Sequence, residues 1–184
     1  MSLVELIAQA DERGLAASGL ACLDRCVPLL GGDDETLRPL WASLTDGAEA
    51  AEWGERLEQA RAKLDAAGEE DEAVSLAHRM LQAAPAERSA AAVRVWADAC
   101  SVASLQIHRL LDPSEDDASS VSVRREGRTE GMSPLVAAEL RRQVVVLEVL
   151  AGHGQNGLRR ALEVSTEGRR VLRAVVSRRN RHQG

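Results

Sequence analysis

The chain has no phenylalanine and no tyrosine, and its only aromatic side chains are Trp41, Trp53 and Trp96. β-Sheets lean on aromatic and β-branched residues, so this composition disfavours a sheet. The core must be built from Leu, Val and Ala, and Ala suits helices because it loses no side-chain entropy there. Lysine is almost missing: of 23 basic residues, all but Lys63 are arginine. The three cysteines are too few for a disulfide scaffold, and their odd number leaves one unpaired. No run of about 18 apolar residues exists, so no membrane-spanning segment is expected. The N-terminus, MSLVELIAQADER, lacks a basic stretch followed by a long apolar run, so no signal peptide is expected either. These absences point to a protein of the reducing cytoplasm with no membrane partner.

What is present is 184 residues, 45% of them apolar. That is enough for one domain, or one domain with an appendage, and enough to bury a core without metal or disulfides. The formal charge is −6, but it is split. Residues 1–123 carry 10 basic and 23 acidic side chains, while 124–184 carry 13 basic and 6 acidic. Two readings follow: the halves neutralise one another by packing together, or each meets an outside partner of opposite charge.

The division falls at Asp112–Ser133, DPSEDDASSVSVRREGRTEGMS, which has no helical apolar period. Segments of this length without periodicity are uncommon inside compact domains. The expected fold is all-α: an antiparallel helical bundle of five or six helices over 1–111, a flexible charged linker over 112–133, and a basic C-terminal helical hairpin over 134–184. The hairpin either docks on the bundle or completes a dimer.

Along the bundle, Ser2 and Glu5 make a capping box, and Gly14 is expected to end or bend the first helix. Leu15, Gly19, Cys22, Leu23, Cys26 and Leu30 share a second face, which Pro28 and Gly31-Gly32 close. Asp33 or Asp34 should cap a helix carrying Leu37, Leu40, Trp41 and Leu44. Trp53, Leu57, Ala60, Leu64 and Ala67 stripe the next, which Gly68 should close. The acidic Glu69–Glu72 run suits a helix start. Ala86–Leu111 is the longest regular stretch and the expected central helix. Ser133-Pro134 is a helix start, GHGQNG over 152–157 is a hairpin turn, and 177–184 is expected to fray.

Chemistry-bearing motifs are few. Cys22 and Cys26 share a helix face and could offer two thiolates to zinc, with Cys100, His78 or His108 completing four ligands. All three cysteines also lie on apolar stripes, as buried cysteines commonly do, and no cofactor is expected. His153 lies in the glycine-flanked turn ahead of Arg159 and Arg160, an arrangement that can hold a small anion at a helix N-terminus. It matches no phosphate-binding fingerprint. The strongest signal is the cluster Arg159, Arg160, Arg169, Arg170, Arg173, Arg178, Arg179 and Arg181, a surface for a polyanion or an acidic partner. No aromatics accompany it, so stacking on single strands is not expected.

The expected function is a non-enzymatic helical interaction or regulatory protein whose partner is another protein or a second copy of itself. One alternative is a nucleic-acid-associated regulator using the arginine-rich helix, which the net acidity of the chain disfavours. Another is a metal protein or enzyme with a site in the bundle core.

Overall fold

The computed structural model describes residues 1–64, 71–112 and 121–183, apart from the side chains at 50, 153–155 and 182–183. Every regular element among them is helical. None of these helices is long and apolar enough to cross a membrane.

Helix α1 (Leu3–Gln9) starts with the expected capping box. Ser2 Oγ accepts from Glu5 N, and Glu5 Oε2 accepts from Ser2 N at 2.8 Å. Helix α2 (Glu12–Arg25) follows at once, because Asp11 caps it by accepting from Gly14 N at 2.7 Å. The break therefore falls at 10–11, and Gly14 lies inside the first turn of α2. A 3-10 turn at Val27–Leu30 then ends at Gly31, whose φ of 75° is the left-handed conformation glycine adopts freely.

Helix α2 is the centre of the molecule, with every residue from Gly14 to Arg25 buried. This role was expected of the helix over 86–111. The reason for the difference is side-chain size. Ala16, Ala17, Ser18, Gly19 and Ala21 let neighbouring helices close in from all sides, and a Cβ on Gly19 would lie 2.7 Å from the Trp96 ring.

Asp33 caps a turn rather than a helix, its Oδ1 accepting from Glu35 N and Thr36 Oγ1, both at 2.9 Å. Helix α3 (Arg38–Ala42) is a single turn. Helix α4 (Ala50–Lys63) buries the expected Trp53, Leu57 and Ala60, with Leu64 just beyond it. The expected closure at Ala67-Gly68 and the acids Glu69 and Glu70 lie outside the described residues. Asp71 caps α5 (Glu72–Ala83), and Ser89 caps α6 (Ala90–Leu111).

With so few aromatics, each tryptophan sits at a junction and satisfies its indole N–H. Trp53 donates to Pro85 O and Trp96 to Met80 O, and the two rings meet edge to face at 5.8 Å. Trp41 donates to Asp24 Oδ2 at 3.2 Å.

The linker expectation needs correcting for 121–133. Helix α7 (Val121–Arg125) packs on α6. Arg125 bonds Asp98 and Ser101, and buried Arg124 donates to the carbonyls of Arg128 and Glu130. An arginine run that looks solvated in sequence is here a set of buried backbone and carboxylate clamps. Asp112 Oδ2 accepts from Leu135 N at 2.8 Å, so it caps the next helix and ties both ends of the segment together. Residues 113–120, with Glu115-Asp116-Asp117, lie outside the described residues.

The last helical element, α8, runs from Pro134 to Gln183. It is not straight. A straight helix would separate Glu139 from Ser165 by about 39 Å, yet both bond the guanidinium of Arg25. The chain folds back at the expected place: a Cβ on Gly157 would lie 2.6 Å from Val149 O. The arms 134–151 and 157–183 thus lie alongside one another. Gly168 packs tightly, since a Cβ there would meet Arg25 Cδ at 2.5 Å and Arg142 Cδ at 3.0 Å. The backbone stays helical to Gln183 instead of fraying after Val176.

Leu140, Val146, Leu147, Leu158, Ala161 and Leu172 of the hairpin join the same buried cluster as α2 and α6. The described residues of both arms thus share one buried core with α2 and α6.

Candidate functional site

The interior holds more charge than a helical core usually tolerates. Arg25, from α2, donates through Nε to Glu139 Oε1 at 2.6 Å and through Nη2 to Oε2 at 2.7 Å. Neither side chain is exposed. Glu139 Oε2 also accepts from Ser104 Oγ and Gln143 Nε2, both at 2.9 Å. Gln143 in turn accepts from Ser101 Oγ, which receives Arg125 Nε at 3.1 Å. One continuous network thus joins α2, α6, α7 and both arms of α8. A buried pair of this kind survives because further hydrogen bonds satisfy its remaining lone pairs and protons.

Burial alone would raise the Glu139 carboxyl, but Arg25 outweighs it, with help from His108 and the hydrogen bonds, and brings it to about 2. His108 moves the other way. Burial holds its pKa below the ordinary 6.5, against the pull of Glu139. Its Nδ1 lies 2.7 Å from Ser104 O, so the neutral ring carries its proton there and donates it. Nε2 then faces Glu139 Oε1 at 3.7 Å.

The structure brings the three candidate metal ligands Cys22, Cys26 and Cys100 into one buried region, near enough for each to oppose ionisation of the next. In the metal-free protein burial keeps the three thiols neutral. Burial pushes Cys22 up to about 12 despite Arg25, and pushes Cys26 and Cys100 up as well. Metal ligation needs thiolate, and the Arg25 guanidinium already occupies the side of Cys22, with Nη2 3.5 Å from Sγ. Among the described residues no group of three or more His, Cys, Asp or Glu side chains is disposed to hold a metal ion.

The arginine cluster divides in two. Arg169 is buried and pairs with Asp24 and, at 2.9 Å, with Asp34. Arg173 reaches Asp34 at 3.1 Å, and Arg179 pairs with Asp71. Burial raises the Asp24 carboxyl in spite of Arg169. Burial also opposes ionisation of Asp34, but there Arg169 and Arg173 prevail and hold the carboxyl below its usual range. The basic half therefore neutralises the acidic half directly. Arg159, Arg160, Arg170, Arg178 and Arg181 remain exposed. Glu163 and Glu167 are exposed on the same arm. The side chain of His153 lies outside the described residues, in the segment where α8 folds back.

Sequence reasoning missed Arg25, Glu139 and Arg125. A signal existed: Arg25 falls among Cys22, Leu23 and Cys26, and Glu139 between Val136 and Leu140, each a charge set into an apolar face. It also missed a surface. Helix α6 buries the predicted Val93, Trp96, Ala97 and Cys100, but Val95, Ala99, Val102 and Gln106 recur on its outer side. Val95 is 73% exposed and Leu110 46%. Between α5 and α6 this side opens into a groove of about 370 Å³. Leu76, Ala83, Ala99, Val102 and Ala103 line it, along with Trp96, Met80 and Cys100, which are buried; its polar side chains are Arg79 and Gln106.

In comparisons with known proteins, no family model, no curated protein and no solved structure matches this chain.

Proposed function

We propose that this is a non-enzymatic interaction protein whose α5–α6 groove receives an amphipathic helix from a partner protein. The groove carries the reading. Its walls are two helices, and Ala83, Ala99 and Ala103 leave room for a third backbone to approach. Helix-in-groove docking uses anchors at i, i+3, i+4 and i+7, and the exposed α6 stripe extends the apolar contact towards Val95. Arg79 lines the groove and is exposed, so the complementary helix carries acidic residues on that flank. Three buried free thiols support a reducing, cytoplasmic setting.

The test compares capture by wild type and by a Val102→Asp variant, whose change lies on the half-exposed wall. A protein retained by wild type and lost with the variant at unchanged melting temperature supports the reading. Equal retention of every protein by both overturns it.

The nucleic-acid alternative keeps the exposed Arg159, Arg160, Arg170, Arg178 and Arg181. Its support is reduced because Arg169, Arg173 and Arg179 are engaged by Asp24, Asp34 and Asp71. Salt-sensitive duplex binding that disappears when Arg159, Arg160, Arg170, Arg178 and Arg181 become glutamine would favour it.

A further inference from the structure

On another face, between α3 and the second arm of α8, lies a groove of about 330 Å³. Its walls are of opposite character. Trp41, Leu158 and Leu162 make an apolar side, and Arg38 and Arg159 bring two cations; among the described residues no carboxylate lines it. Thr45 adds a hydroxyl. A neighbouring groove of about 460 Å³ shares Arg38 and Leu162, but Glu163 and Glu167 line it together with Arg170. The positive end is thus the one beside Arg159.

The apolar side is held in place. The Trp41 indole N–H donates to Asp24 Oδ2, and Asp24 is itself held by buried Arg169. The Arg38 pair with Glu35, at 3.0 Å, is mostly exposed on both sides. Such a pair contributes little, so a ligand's anionic group competes for Arg38 at small cost. Small-molecule sites usually combine an apolar lining with a few oriented polar groups in about 300–1,000 Å³. This groove sits at the lower end of that range.

We infer that the groove binds a small amphipathic carboxylate, with its apolar chain on Trp41, Leu158 and Leu162 and its carboxylate at Arg38 and Arg159. Guanidinium suits this because it meets a carboxylate with two parallel hydrogen bonds. The groove is separate from the one between α5 and α6, so either proposal can fail without the other.

The test follows the three indole N–H resonances of the intact protein, assigned by single Trp→Phe changes, during titration with octanoate below its micellar concentration. Octanol and octylammonium, which keep the chain and change the head, are the controls. The expected result is a saturable shift of the Trp41 resonance, with octanoate binding about tenfold tighter than octanol and octylammonium weakest. In an Arg38→Gln, Arg159→Gln double variant, octanoate should fall to the affinity of octanol while octanol is unchanged. Both arginines are exposed, so an unchanged melting temperature is expected and is measured alongside. No saturable shift at Trp41, equal binding of the three probes, or a response confined to Trp96 would overturn the proposal.

Discussion

Arg25 and Glu139 stand 114 positions apart, yet the guanidinium of one holds both carboxylate oxygens of the other, at 2.6 and 2.7 Å, with both side chains wholly buried. This contact joins the acidic first half of the chain to the basic second half. Glu139→Gln leaves the Arg25 charge uncompensated, and Arg25→Met leaves that of Glu139. Breaking a buried pair from one side costs about 3–5 kcal/mol, whereas replacing both partners by apolar residues of similar volume is often neutral. The double variant Arg25→Met, Glu139→Leu should therefore be more stable in urea than either single variant. A double variant worse than both would mean that Ser104 and Gln143, left without their acceptor, matter more than the charges.

The buried charges also set an acid profile. The folded Glu139 carboxyl titrates at about 2 against an ordinary 4.5, so its stabilisation is present above pH 4.5 and is lost as pH falls through about 2. His108 acts earlier. Its folded pKa lies below its ordinary 6.5, so the unfolded chain takes up the proton first, and stability declines as pH drops below 6.5. Asp24 acts in the opposite sense, because its raised carboxyl favours the folded state on protonation. Urea midpoints measured from pH 7.5 to 5 should fall for wild type and stay nearly level for His108→Gln. Parallel slopes in the two proteins would show that His108 does not carry this step.

The three thiols report on the same interior. Cys22, Cys26 and Cys100 are each no more than 1% exposed, and burial raises all three pKa values. At pH 8 the native protein should resist an aromatic disulfide reagent, and all three thiols should react together across the unfolding transition. Reaction of one thiol well before the others would reveal local opening of α2 or α6.

Much of this fold was legible because helix signals are local. The Ser2–Glu5 capping box, the acidic start of α5 and the turn at 152–157 are written in neighbouring residues, whereas α6, expected from Ala86, starts at Ala90 behind the Ser89 cap. The central position of α2 was not, because Asp24 and Arg25 break its apolar pattern and their partners Arg169 and Glu139 lie more than a hundred residues away. The arginine cluster was visible as charge, but sequence could not say that Arg169, Arg173 and Arg179 face Asp24, Asp34 and Asp71 while Arg159 and Arg160 face outward. Pairing across helices is set by packing, and no short spacing encodes it. The α5–α6 groove was hidden for a related reason: the inner and outer stripes of α6 are both apolar, and only the packed structure tells which is covered.

The segment before α8 offers a cut-site test of packing against composition. Arg124 is 2% exposed and Arg125 8%. Both are held by hydrogen bonds, the first to backbone carbonyls beyond α7 and the second to Asp98 and Ser101. Arg128 is exposed just past Gly127. A protease must draw its target into an extended conformation, so it selects exposed backbone with little to lose. Brief trypsin treatment of the native protein should therefore cut after Arg128 before Arg124 or Arg125. Asp98→Ala removes the carboxylate that holds Arg125 and should bring cleavage after Arg125 forward. First cleavage after Arg124 or Arg125 in wild type would mean that α7 opens readily, and that the solvated linker suggested by composition describes this stretch better than the packed helix does.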